Sequence, residues 1–249
     1  MTKISVITVV HNAALTIRDC IESVKSQVHK AEHIIIDGAS TDGTLDIVKE
    51  YRTEIARVIS EPDSGIYDAM NKGIPLATGD VVGFLNADDF YPDPEVLSNV
   101  ADIFEDGRVE SCYGDLVYVH PTKPEQTLRF WQSGEYDPER FYWGWMPPHP
   151  TFFVTRSTYE KHGYFNLDFG SAADYELMLR FLLKHRIRTA YIPAVLVKMR
   201  SGGTSNVSIR NRLLANKNDR LAWKENGLKP HPWTLWFKPL RKIPQYFSK

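Results

Sequence analysis

The stretch Ile4–Val10, ISVITVV, carries β-branched side chains at six of its seven positions and shows no alternation of polar and apolar residues. A strand of that kind is buried on both faces, which happens in parallel sheets covered by helices on each side. The period then changes. Ile17, Ile21, Val24 and Val28 recur at spacings of 4, 3 and 4, a helical stripe. The alternation repeats: His33–Ile36 reads as a second buried strand, and Thr44 caps a helix carrying Leu45, Ile47, Val48 and Tyr51. Arg57–Ser60 reads as a third strand, Ile66–Lys72 as a helix stopped by Gly73, and Val81–Leu85 as a fourth strand. Pro94 opens a helix with Val96, Leu97, Val100, Ile103 and Phe104 on its buried side. This rhythm predicts an α/β fold with a doubly wound, mostly parallel sheet.

Such sheets bind ligands at the carboxyl ends of their strands. The residues expected there are polar and often acidic: His11-Asn12, Asp37, Asp63 and Asn86-Ala87-Asp88-Asp89. Beyond Ser111–Val119, another strand, residues 120–150 read as a long loop rich in proline and aromatics, including Trp131, Tyr136, Phe141, Tyr142, Trp143 and Trp145. A loop of that length is commonly a lid or binding loop. Thr151–Val154 reads as a strand, Asp174–His185 as a helix, Tyr191–Met199 as a bent strand or strand pair, and 206–226 as a polar helix.

Charge divides the chain. Residues 206–249 hold ten Lys/Arg against two Asp/Glu, a local +8, while the rest carries a local −9. We expect an acidic catalytic body, residues 1–205, followed by a basic aromatic tail, residues 206–249. An acidic body is a poor nucleic-acid surface. Hydrophobic residues make up 43% and charged residues 24%, which excludes a disordered chain or a fibre. The two cysteines, Cys20 and Cys112, sit in apolar segments and are read as reduced core residues. The N-terminal segment has no signal-peptide pattern, and no run approaches the ~18 apolar residues of a spanning helix. The expected location is cytoplasmic or peripheral.

Three groups carry chemistry. Asn86-Ala87-Asp88-Asp89 places carboxylates at a strand end, an oxygen-ligand pattern for Mg²⁺ or Mn²⁺, although the same residue types also build plain turns. In an acidic body a cation is what allows a diphosphate to bind. Asp37 ends a buried strand, so its carboxylate can accept from a base or ribose, or simply shape the loop. Asp174 heads a helix and can be a general base or an ordinary cap. Asp168 and Glu176 are the alternatives for a base, and Asp89 is the alternative ligand.

Ile4–Asn12, the Asp37–Thr44 loop and Leu85–Asp89 fall in the order and spacing of family 2 glycosyltransferases, which the chain resembles over about residues 1–205. The stretch Glu61-Pro62-Asp63-Ser64-Gly65-Ile66-Tyr67-Asp68-Ala69-Met70-Asn71-Lys72-Gly73 resembles a branch that includes colanic-acid and other bacterial surface-polysaccharide transferases. The resemblance implies a GT-A fold, with residues 1–119 as the nucleotide-sugar half and 120–205 as the acceptor half. It implies that Asp37 binds the nucleotide base, with Val9, His11, Asp68, Asn86 and Ala87 also along the nucleotide. It implies that Asp88, last residue of the metal motif, holds Mn²⁺ or Mg²⁺, and that Asp174 is the catalytic base of an inverting transfer. Asn86 departs from that motif, where Asp is usual, and removes one charge.

His149 matches a histidine near the diphosphate or acceptor, and Arg200 belongs to a Gly-Gly loop, Met199–Ser205, that could hold phosphate. Trp143 and Trp145 could stack on sugar rings or form core. The expected donor is a UDP-sugar and the expected acceptor a lipid-linked saccharide. The tail's Lys, Arg, Trp and Phe residues suit an anionic membrane surface. A sugar-phosphate nucleotidyltransferase or a dehydrogenase would show a Gly-rich loop after the first strand, where Val10-His11-Asn12-Ala13-Ala14 has none. A non-catalytic nucleotide-sugar- or saccharide-binding module is the remaining alternative.

Overall fold

The computed structural model describes residues 2–202, 209–241 and 245. Thr204 and Ser205 of the Gly-Gly loop, and Lys242 and Phe247 of the tail, lie outside the described residues. Among the described residues one eight-stranded sheet runs in the order β3-β2-β1-β4-β7-β5-β6, with β8 also paired to β5. The strands are β1 (Ile4–Val10), β2 (Glu32–Asp37), β3 (Arg57–Ser60), β4 (Val81–Phe84), β5 (Ser111–Val119), β6 (Thr127–Trp131), β7 (Phe153–Thr155) and β8 (Thr189–Arg200). β3, β2, β1 and β4 are mutually parallel, β7 is antiparallel to β4 and β5, and β8 is parallel to β5. Every residue of β1 is buried. The apolar side chains of β1 divide between two cores: Ile7 and Val9 face one, Ile4, Val6 and Val10 the other. That is the physical basis of the unbroken β-branched run.

The helices are α1 (Ile17–Lys25), α2 (Thr44–Glu50), α3 (Ile66–Gly73), α4 (Val96–Phe104), α5 (Glu139–Tyr142), α6 (Arg156–His162), α7 (Ala173–Met178), α8 (Ile209–Glu225) and α9 (Thr234–Leu240). The chain winds outward from β1 through β2 to β3, then returns to the other side of β1 with β4. This reversal opens a crevice at the carboxyl ends of β1 and β4, the general ligand position of such sheets.

Several local expectations change. The α1 stripe ends at Val24. Val28 is 61% exposed, because the chain turns at Ser26 and buries Gln27, whose side chain donates to Asp93 O and accepts from Leu97 N–H. Thr44 does not cap α2. Gly43, at φ +92°, occupies the cap, and Asp42 accepts from the Thr44 N–H. Gly73 does not stop α3, which continues into a 3₁₀ turn at Ile74–Leu76. A Cβ at Gly73 would lie 2.6 Å from Ile7 Cγ2, so the glycine lets α3 press onto β1. Residues 120–150 are not all loop: they contain β6, antiparallel to β5, and the short α5. The helix expected at Asp174–His185 is α7 continued by a π-helical turn over Leu179–Lys184.

Candidate active site

The loops that leave β1 and β2 are knitted together before any ligand is considered. His11 Nδ1 donates to Gly38 O at 2.9 Å, which leaves Nε2 to accept from Asn12 Nδ2 at 3.1 Å. Asn12 N–H donates to Ser40 Oγ, and Thr41 N–H donates to Asn12 Oδ1, both at 2.8 Å. Asn12 and Ala39 sit at φ +50° and +60°, so this network holds two non-glycine residues in left-handed backbone. Gly38 makes room of a different kind: a Cβ there would push the Asp63 carboxylate aside. Asp63, three residues beyond β3, thus lies against the Asp37–Gly38 turn.

Asp37 is fully buried at the end of β2. Its Oδ2 accepts from Ser40 N–H at 3.0 Å and from Ser60 Oγ at 2.7 Å. Its Oδ1 is buried with no hydrogen-bond partner. A buried carboxylate oxygen without a donor is costly, and an incoming N–H or O–H relieves that cost. Val9 is core, and its side chain faces the packing beneath the edge. Asp68 accepts from Ser64 N–H at 2.9 Å and lies 3.7 Å from Lys72 Nζ, so it shapes the start of α3.

At the end of β4, Ala87 is buried and Asn86 Oδ1 is a second buried oxygen without a partner. Burial raises the Asp88 carboxyl above the usual carboxylate range, opposed by its own backbone and by Arg200. Asp89 points inward and is fully buried. Its carboxyl is raised well above the usual range by burial first and then by the Asp88 charge. Asp89 accepts from Arg200 N–H at 3.3 Å and from Asn86 Nδ2 at 3.5 Å, which makes it a brace of the turn rather than an open ligand.

Among the described residues no three His, Cys, Asp or Glu side chains are grouped to hold a metal. The donor set fits Mg²⁺ or Mn²⁺ nevertheless. Such ions keep several waters and substrate phosphates and need only one or two protein oxygens. The Asp88 carboxylate and the unpartnered Asn86 Oδ1 supply oxygens of that type.

Arg200 is not placed to receive phosphate. It is buried, and its guanidinium donates to Asp88 O at 2.8 Å and Pro121 O at 3.2 Å, pairs with Asp19, and lies over the Phe90 ring. The end of β8 is thus fastened to the back of the Asp88 turn. Trp145 is also not a saccharide wall: it is buried among Tyr113, Tyr136 and Phe141 and donates from Nε1 to Ser133 O at 3.0 Å. Trp143 is half exposed, but it packs against Trp233 and Phe237 beside α9.

Asp174 is partly buried in the first turn of α7 and accepts from Tyr175 N–H at 2.8 Å. Two aromatic residues face it. The Tyr67 phenol from α3 interacts with the Asp174 carboxylate, and burial together with that charge raises the phenol well above its usual range. His149 is fully buried among Tyr67, Phe84 and Phe165, with Nε2 unpartnered. Burial lowers its imidazole, and the Asp174 charge opposes that shift, so the ring is held neutral near pH 7. Asn71 closes this arrangement: its Nδ2 donates to Phe165 O at 2.8 Å and its Oδ1 accepts from Phe165 N–H at 2.9 Å. α3 therefore clasps the second half of the chain beside the β4 end. The role of Tyr67 escaped the sequence reading, although the residue lies inside the 61–73 motif. Burial of an aromatic between two halves has no periodic signal.

A family model described as "Glycosyl transferase family 2" matches residues 5–164. A PGL/p-HBAD biosynthesis glycosyltransferase of Mycobacterium bovis is 29% identical over 209 residues, spanning 82% of this chain and 79% of that protein. An uncharacterized glycosyltransferase of Mycobacterium tuberculosis is 33% identical over 190 residues, spanning 72% of this chain and 69% of its own length. Among solved structures, TarS 1–349 of S. aureus in complex with UDP-GlcNAc aligns at a TM-score of 0.72 and 20% identity, covering 90% of this chain and 66% of that one. Glucosyl-3-phosphoglycerate synthase of M. tuberculosis, in complex with Mn²⁺, UDP-glucose and phosphoglyceric acid, aligns at 0.62 and 17% identity, covering 92% and 82%. Both show the GT-A fold.

Proposed function

The chain belongs to glycosyl transferase family 2, and from that premise we propose that it is an inverting, metal-dependent hexosyltransferase. It moves a sugar from a UDP-sugar to a hydroxyl of a lipid-linked saccharide in bacterial surface polysaccharide assembly, such as O-antigen or capsule. The observation that carries the donor site is the pair of buried, unpartnered oxygens, Asp37 Oδ1 and Asn86 Oδ1, at the carboxyl ends of β2 and β4 in the parallel half of the sheet. Both are acceptors without donors, on either side of the crevice where such sheets bind nucleotides. Structural neighbours in complex with UDP-GlcNAc, or with UDP-glucose and Mn²⁺, support a nucleotide-sugar donor and a divalent ion.

In this reading Asp37 accepts from the nucleobase, with Val9, His11 and Asp68 forming and supporting its surroundings. Asp88, with Asn86 and Ala87 before it, holds a Mn²⁺ or Mg²⁺ ion. The chemistry such an ion would supply there is neutralisation of the diphosphate as a leaving group. The acceptor hydroxyl attacks the anomeric carbon from the face opposite the diphosphate. Asp174 takes the hydroxyl proton as the C–O bond forms. The Tyr67 phenol faces the Asp174 carboxylate, and neutral His149 contributes an unpartnered ring nitrogen that feels the same charge. We assign residues 1–119 to the donor, 120–205 to the acceptor and 206–249 to attachment on the cytoplasmic face of the membrane. Among the described residues no helix is long and apolar enough to cross a membrane.

The test is nucleotide release from a panel of UDP-, GDP- and dTDP-sugars, with Mn²⁺, with Mg²⁺ and with chelator. The reading expects release from one donor only, abolished by chelator. Neither binding nor release with any donor would overturn it.

A further inference from the structure

α9 presents two different faces. Its inner face is fixed to the body: Thr234 and Leu235 are buried, and Thr234 Oγ1 donates to Tyr142 O at 2.7 Å. Lys238 Nζ pairs with the buried Asp219 at 2.8 Å and lies over the Tyr175 ring. A Cβ at Gly144 would lie 2.5 Å from Lys238 N, so the helix is seated directly on the turn after α5. Its outer face is apolar and open. Trp233, Trp236, Phe237 and Leu240 follow a spacing of 3, 1 and 3, and are 42%, 70%, 36% and 53% exposed. Trp143 joins them, 47% exposed, with its ring 6.0 Å from Trp233 and 5.5 Å from Phe237.

We infer that this five-residue apolar face, four of its members aromatic, is an interfacial docking surface for an anionic lipid bilayer. The inference rests on the membrane contact proposed above and names the surface that makes it. Indole rings combine an apolar body with an N–H donor and settle at the headgroup boundary. A helix with one such face, set against cationic residues, lies in the plane of the interface. The cations are present: Lys217, Lys224 and Lys229 are exposed nearby in sequence, within the segment whose charge is +8. That surplus selects the occupant. Two copies joined through this face would set Lys217, Lys224 and Lys229 of each copy against like charge, whereas an anionic surface neutralises them. A heterologous contact also lacks a counterpart. Apart from Leu221 on α8, the other exposed large apolar residues among those described, Leu15, Val28, Val58, Ile66, Leu128 and Leu167, come singly from separate segments.

The full chain is incubated with vesicles of phosphatidylcholine alone, or with one third replaced by phosphatidylglycerol, and sedimented. Trp236→Ser/Leu240→Ser removes the two most exposed members of α9 and leaves its inner contacts in place. Lys224→Glu/Lys229→Glu removes cations without touching the aromatic face. Wild type is expected to co-sediment with the anionic vesicles, with tryptophan emission shifted to the blue, and to bind neutral vesicles at least tenfold more weakly. Each double variant is expected to lose tenfold or more of the anionic binding. Equal partitioning of wild type and the Trp236/Leu240 variant would overturn the inference. So would lipid-free self-association that the same variant abolishes, since that would give the face to a second copy. Nucleotide release measured on these preparations without vesicles reports on the transferase reading alone. Vesicle binding with neither donor binding nor release would sink that reading and leave the surface standing.

Discussion

Replacing Arg200 with Met tests whether this residue braces the Asp88 turn or touches substrate. Met retains most of the apolar packing over Phe90 but donates nothing. Arg200→Met strips a donor from Asp88 O and from Pro121 O. Leaving a buried acceptor unsatisfied costs about 1–3 kcal/mol, less where water can replace the donor, as it can beside the partly exposed Asp88. The ion pair with Asp19 adds about 1 kcal/mol at most, because the Asp19 side chain is 55% exposed and solvent screens the pair from that side. The sum is a loss of about 2–4 kcal/mol, read as a lower urea midpoint at unchanged slope. Loosening the turn also displaces Asp88, so the Mn²⁺ concentration giving half-maximal nucleotide release should rise more than the donor KM. Arg200→Lys should recover part of the stability, since an ammonium can reach one carbonyl but not both with planar geometry. Wild-type stability in Arg200→Met together with a large rise in donor KM would refute the bracing role. It would return Arg200 to the phosphate.

Other consequences follow from neighbouring contacts. Tyr67→Phe should lower kcat several-fold with donor KM nearly unchanged, because it removes the phenol dipole that faces the Asp174 carboxylate, measured by steady-state release. Asn86→Asp should tighten Mn²⁺ binding while lowering stability in chelator, because it adds a carboxylate beside Asp88 and Asp89, which burial already raises; paired melts with and without Mn²⁺ read both effects. His33 is buried against Thr8 Oγ1 at 2.9 Å, and burial pushes its imidazole down to about 4 from 6.5. Its folded state stays neutral while the unfolded chain takes up a proton. Stability should therefore fall as pH drops from about 6.5 toward 4, by about 3 kcal/mol at most, and His33→Gln should flatten that slope.

The parallel half of the sheet was legible because strands buried on both faces must be β-branched throughout, as Ile4–Val10 is. The strand ends followed from the same reading, so the polar residues at the carboxyl edge, Asp37 and Asn86–Asp89, could be named in advance. β6 was missed because Thr127–Trp131 is partly exposed and sits among prolines, which read as loop. α6, Arg156–His162, is short and polar, with only Thr158 and Tyr159 buried, and gives no stripe. Gly73 reads as a stop signal from sequence, yet its use is a close approach to Ile7 that depends on tertiary packing. Trp143 and Trp145 are two residues apart and chemically identical, but only the fold sends one to the surface and the other to the core. A buried arginine such as Arg200 is uncommon, and its partners, Asp19 and Asp88, lie more than a hundred residues away. Its positioning role could not be seen in the chain.

The central claim is a division of labour: the sheet edge takes the donor, and Asp174 removes the acceptor proton. Asp174→Asn keeps the size and the acceptor oxygen that receives the Tyr175 N–H, but cannot take a proton at neutral pH. Donor binding and transfer to a saccharide acceptor, measured side by side on this variant, separate the two roles. The account predicts a donor dissociation constant within about threefold of wild type and transfer reduced by roughly 10²-fold or more, the range for loss of a general base. Transfer at the wild-type rate, with binding intact, would contradict it.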